Sequence, residues 1–121
     1  MKIIDSNLLI YSYQDEYSYL RALLKEPDVC ISAISKLEVL GFSKITLTEK
    51  MYYSALLEEI SQIKITAVIL DKAIELRQQK RMSAGDAIIA ATAVIHHATL
   101  YTRNTKDFEF IIGLETYNPI V

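Results

Sequence analysis

The 121-residue sequence holds one cysteine, three glycines and two prolines, no segment of biased composition and a formal charge of only −2. Each shortage excludes something. With a single thiol no internal disulfide can form, and the apolar setting Val29-Cys30-Ile31 reads as a buried structural thiol in a reducing compartment. With little Gly or Pro and no repeats, nothing marks a linker, so residues 1–121 are expected to form one compact domain with a substantial core. With so little net charge there is no global attraction for nucleic acid, and any such partner must be met by a local basic patch. No charged-then-apolar leader opens the chain. Its longest apolar stretch, the nine residues Ala87 to Ile95 with Thr92 among them, falls well short of the ~20 that a membrane span needs. The expectation is a cytoplasmic protein with no membrane partner.

What is present is an alternation of strand-like and helix-like runs. Lys2-Ile3-Ile4 favours a strand, Asp5-Ser6-Asn7 is a polar triplet suited to a helix start, and Leu8-Leu9-Ile10-Tyr11 continues with helical spacing. Asp15 can cap a second helix through Tyr19, Leu20, Leu23 and Leu24, ended by Pro27. Tyr11, Tyr13, Tyr17 and Tyr19 crowd this part of the chain, as interface residues or as half-buried core. Asp28 to Ser32 reads as a strand and Ile34 to Lys44 as a helix. Thr46 and Glu49 have capping-box spacing ahead of a stripe of Met51, Tyr52, Ala55, Leu56, Ile60 and Ile63. Ile63 to Val68 alternates like a strand, Asp71 to Arg81 reads as a helix, and Ser83 with Asp86 opens an alanine-rich helix that is apolar nearly all round. Ala98 to Thr102 is a strand, Arg103 to Phe108 a polar loop, and Leu114 to Tyr117 a last short strand. Strands separated by helices imply a mostly parallel sheet of four or five strands, covered on both faces.

In such a sheet, ligands bind beyond the carboxyl ends of the strands. Asp5 belongs there, either as a plain helix cap or as part of a site. On a helical wheel Glu38 shares a side with Ile34, Leu37, Gly41 and Phe42, an unfavourable place for a carboxylate without a partner or a cation. Asp86 can be a capping acid or a functional one, and Asn104 and Asp107 follow the fourth strand. If the first and fourth strands are neighbours, these residues share one crevice. Two carboxylates about 4 Å apart repel by roughly 1 kcal/mol in water and about 4 kcal/mol near a protein surface. A divalent cation removes that penalty, and all-oxygen donors favour Mg²⁺ or Mn²⁺. Such an ion can activate a water and neutralise charge on a phosphate, so phosphodiester hydrolysis is the matching chemistry. Arg77, Lys80, Arg81, Arg103 and Lys106 flank two of the acids and can hold a substrate backbone. His96 and His97 point apart on a helix and are given no role.

At these positions the sequence resembles the PIN domain, and VapC-type toxins within it. The resemblance lies in Ile4-Asp5-Ser6-Asn7, Ser35 to Phe42 around Glu38, Gly85 to Ala93 after Asp86, and Thr102-Arg103-Asn104-Thr105-Lys106-Asp107-Phe108. It implies a three-layer α/β/α fold and a Mg²⁺- or Mn²⁺-dependent endoribonuclease. It also implies homodimerisation and inhibition by a cognate antitoxin protein. By position, Asp5, Glu38 and Asp86 match the three metal-binding acids; Asp107 matches the acid of the terminal motif and Asn104 its polar residue. Ser6 stands where the family often has Thr and keeps the hydroxyl. Two rivals remain: a PIN-like module that binds RNA or protein without cutting, and a receiver-like phosphoacceptor. The latter lacks an Asp ending the third strand and has Thr102, not Lys, ending the fourth.

Overall fold

The computed structural model describes every residue from 1 to 121. Its five strands are β1 (Lys2–Ile4), β2 (Val29–Ser32), β3 (Ser61–Ile63), β4 (Thr99–Tyr101) and β5 (Glu115–Tyr117). They form one sheet in the order β3-β2-β1-β4-β5, with every pairing parallel. The expected three-layer α/β/α architecture is thereby met, with a sheet that is wholly parallel. β1 and β4 are adjacent, and the strand order reverses between them. That reversal opens a crevice at the carboxyl ends of the two central strands.

Six helices cover the sheet: α1 (Ser6–Tyr11), α2 (Leu20–Leu24), α3 (Ala33–Leu40), α4 (Leu47–Glu59), α5 (Ala67–Gln79) and α6 (Ala84–Ile95). None is long and apolar enough to cross a membrane. Successive strand residues face opposite sides, so Ile3 and Leu100 pack with α5 and α6, while Ile4, Val29 and Ile31 pack with α1, α2 and α4. The first core is closed by Ala87, Ala90, Ala91 and Ala93, all fully buried, whose short side chains let α6 lie close to the sheet. The second is filled by larger groups, among them Leu8, Leu9, Tyr53 and Leu57.

Several boundaries differ from the sequence reading, each for a local reason. The third strand is Ser61–Ile63 and not Ile63 to Val68, and α5 starts at Ala67 and not Asp71. Thr66 accepts a hydrogen bond from the Ile69 amide at 3.2 Å and so starts the helix early. An isoleucine at that position hides the capping-box pattern. As an edge strand with exposed Ser61 and Gln62, β3 also lacks the apolar run that marks the central strands. Asp15 opens a 3-10 turn over Asp15–Tyr17 in place of a longer helix. The Thr46–Glu49 capping box is present in full, but α4 turns Tyr53 and Leu57 to the core and leaves Met51 at 65% exposure.

Candidate active site

Asp5 ends β1 and stands at the position that caps α1, yet its carboxylate makes no capping hydrogen bond. The Thr102 hydroxyl, just past β4, donates to Asp5 Oδ2 at 2.8 Å, and the Asp5 amide donates to the Tyr101 carbonyl at 2.9 Å. Adjacent strands thus hold this acid in the crevice, only 5% exposed. The plain capping reading of Asp5 does not hold.

Glu38 arrives from α3, with a geometry that corrects the wheel. Ser35 and Val39 are the buried positions, while Leu37 is 65% exposed and Glu38 itself is open to solvent. Glu38 is therefore not a charge trapped in an apolar face. Ser32, at the end of β2, caps α3 through the Ile34 amide and so aims this helix from the sheet's carboxyl edge. Ser6 Oγ lies 2.8 Å from both Glu38 Oε1 and Ser35 Oγ. Its one proton serves the carboxylate while Ser35 donates back. Gly41 sits against Leu37, not Glu38. Gly85 is the glycine that matters here, because a Cβ at that position would stand 2.2 Å from Glu38 Oε2. The Glu38 carboxylate therefore lies against the first turn of α6, beside Asp86.

Asp86 is carried by that turn, where Ser83 accepts a hydrogen bond from the Asp86 amide at 3.1 Å. The capping role falls to the serine, whose side chain also interacts with the Asp86 carboxylate. Asp107 comes from the 3-10 turn Thr105–Phe108, anchored by buried Phe108. Asn104 precedes that turn, and its amide donates to Thr102 Oγ1 at 3.1 Å.

The electrostatics tie these acids together. Burial pushes the Asp5 carboxyl from 3.8 up to about 6; the Thr102 hydrogen bond opposes this, and the charges of Asp86 and Glu38 add to it. Burial likewise raises Asp86, with Ser83 opposing and the charge of Asp107 adding. No Lys or Arg pairs with any of them: the ion pairs in the chain are Lys2–Glu26, Lys2–Asp28 and Lys72–Glu75. No three of the acids converge into a ready-made ligand set for one ion. All-oxygen donors still suit a hard dication such as Mg²⁺, which takes one or two carboxylates and fills its remaining positions with water.

The basic residues divide into two groups. Arg77, Lys80 and Arg81 line one surface recess of about 580 Å³, with Arg77 donating to the Met82 carbonyl and Lys80 lying 5.4 Å from the Phe110 ring centre. Arg103 lies apart from that recess, its guanidinium 4.9 Å over the Tyr11 ring. Thr102 and Ser35 were not singled out from the sequence. Each is a polar residue within the same short segment as one of the acids, but its partner is distant: 97 residues for the Thr102 bond and 29 for the Ser35 bond.

Comparison with known proteins shows the family and the fold. A family model for the PIN domain matches residues 2–111. A toxin-antitoxin complex from Klebsiella pneumoniae contains a chain 31% identical, covering 99% of this chain and 98% of that one, with a TM-score of 0.80. VapBC2 from Rickettsia felis, bound to a DNA fragment from its promoter, gives 26% identity, 97% coverage of each chain and a TM-score of 0.79. FitAcB from Neisseria gonorrhoeae gives 26% identity, 98% coverage of each and 0.72. No curated protein matches the sequence.

Proposed function

The chain belongs to the PIN-domain family, and from that membership we propose that it is a VapC-type toxin: a Mg²⁺- or Mn²⁺-dependent endoribonuclease held in check by a cognate antitoxin. The observation that carries the nuclease reading is the crevice itself. Asp5 feels the charges of Asp86 and Glu38, and Asp86 that of Asp107, with no protein cation paired to any of them, and burial raises the carboxyls of Asp5 and Asp86. An acidic cluster in that condition is suited to a hard dication.

In this reading Asp5 and Asp86 would hold the ion, with Glu38 and Asp107 beside them. The bound metal supplies a polarised phosphate and a water that loses its proton readily. Glu38, oriented by Ser6 and open to solvent, would take a proton from an attacking water, and Asp107 adds charge beside Asp86. Arg77, Lys80 and Arg81 bind phosphates of the RNA backbone, the local basic patch that an otherwise acidic protein needs. A homodimer and a cytoplasmic site of action complete the proposal.

Two measurements test it. Purified, antitoxin-free protein is expected to cleave RNA with Mg²⁺ or Mn²⁺ and not in EDTA; cleavage undiminished in EDTA rejects the mechanism. Expression in a bacterium is expected to arrest growth, to be relieved by the antitoxin encoded alongside, and to be harmless for Asp86→Ala. Arrest by Asp86→Ala overturns the toxin assignment as an enzymatic one. The basic patch has its own check: Arg81→Ala should flatten the salt dependence of RNA binding by a slope of about one.

A further inference from the structure

Gly85 is the second residue of α6 and stands immediately before Asp86. Nothing in its own backbone asks for a glycine. The position is helical, without the positive φ that Gly113 has, and glycine there makes the helix weaker than alanine would, because it loses more freedom on folding. What opposes a side chain is a single neighbour. A Cβ at this position would overlap Oε2 and the carboxyl carbon of Glu38, and the three heavy atoms nearest to it all belong to that carboxylate. Glu38 is held from the other side as well. Ser6 Oγ donates to Glu38 Oε1 at 2.8 Å, and Ser6, itself buried, is bonded to the fully buried Ser35. A glutamate open to solvent ordinarily samples several rotamers and gives up that freedom only against a compensating contact. Here one oxygen is bonded to α1 and the other rests in the space left at Gly85, which keeps the carboxylate beside Asp86.

Resting on the ribonuclease reading above, we propose that Gly85 is a positioning residue: its missing side chain keeps open the place in which the Glu38 carboxylate is held for the reaction. Gly85 touches neither the ion nor the RNA in this account and acts only through Glu38. An alanine at that position would be accepted by α6 and would turn Glu38 out to solvent, while Asp5 and Asp86 stay where they are. The glycine is thus a local rule of helix stability broken where a site requires it.

A double-mutant cycle tests it, built from the unsubstituted protein, Gly85→Ala, Glu38→Ala and the variant carrying both. Cleavage of an oligoribonucleotide with Mn²⁺ is read as kcat and KM separately, and unfolding as the melting temperature in EDTA. Gly85→Ala is expected to lose kcat by a factor within about threefold of that lost by Glu38→Ala, with KM unchanged, and the double variant to lose no more than either. In the Glu38→Ala background, where nothing is displaced, Gly85→Ala should raise the melting temperature by about 2–4 °C; with Glu38 present the gain should be smaller. Full kcat in Gly85→Ala overturns the proposal. So does a further loss in the double variant, the result expected if RNA or the ion met the backbone at Gly85 directly. An equal change of melting temperature in both backgrounds overturns it too, because the two groups then do not compete for one place. If the unsubstituted protein cleaves no RNA with Mn²⁺, the ribonuclease reading falls instead, and the melting cycle still decides whether Gly85 makes room for Glu38.

Discussion

The two ends of β1 carry charge under opposite conditions. At its start Lys2 lies beside Glu26 and Asp28, with Asp28 Oδ1 at 3.5 Å, and its ammonium sits 5.8 Å from the Tyr101 ring centre. The hydrogen bond to Glu26, together with the charge of Asp28, holds Lys2 above its ordinary pKa. The group is half-buried and its charge is matched within the chain. At the other end Asp5 is buried, faces two further carboxylates, and meets no cation from the protein. A charge that serves the fold is compensated where it stands; a charge left uncompensated at a switch point is held there for something that is not part of the chain.

The sharpest way to break this comparison is Asp5→Asn. It keeps the shape and an acceptor for Thr102 while removing the charge. Cleavage of RNA should fall by about a thousandfold or more, the scale of lost metal charge stabilisation. The metal-free protein should melt several degrees higher, because the ionised acid is a cost to the fold. A lower melting temperature, or retained cleavage, would show that the acid is structural.

pH should separate the two ends next. A folded pKa of about 6 against 3.8 means that the folded state holds its proton more tightly than the unfolded chain does. Stability from this group is fully present below pH 4 and is lost as pH rises through about 6, amounting to roughly 3 kcal/mol at neutrality. Melting curves of metal-free protein should record that loss, and Mn²⁺ should restore stability at pH 7 and do nothing at pH 4. Metal rescue that does not depend on pH would place the ion elsewhere.

A smaller effect is expected from Thr102→Val, which removes the one side-chain donor to Asp5. It should cost about 1–3 kcal/mol of stability near neutrality and move the acid limb of the pH–activity profile upward. An unmoved limb would mean that Asp5 does not set it. The smallest effect belongs to the matched end: Lys2→Met should leave cleavage unchanged and shift the melting temperature by no more than about 2 °C.

The four acids proposed for the crevice were picked out in the sequence by different signals, Asp5 and Asp86 by their places after a strand-like run and before an apolar helix, Glu38 by a helical wheel and Asp107 by the family resemblance, and the alternation of runs gave the layered fold. What sequence could not supply was the choice between roles. Asp5 and Asp86 both fit helix-capping patterns, and only the structure shows Ser83 capping α6 and no side chain capping α1. Glu38 was found for an incorrect reason: the wheel placed it on an apolar face, but that face is turned to solvent at Leu37 and the helix buries Ser35 and Val39. A wheel locates a stripe only when the apolar residues outnumber the alternatives, and α3 is too short for that. Thr102 went unread because its partner lies across the sheet and not along the chain.

The pairing of β1 with β4 also governs when the crevice can exist. Asp5 leaves the ribosome 97 residues before Thr102, which emerges after most of the core on the α1, α2 and α4 side has been made. Contacts so distant in sequence form late, since the intervening loop must close first. A chain in which β4 has not yet paired with β1 therefore lacks the Thr102 hydrogen bond that holds Asp5 in the crevice.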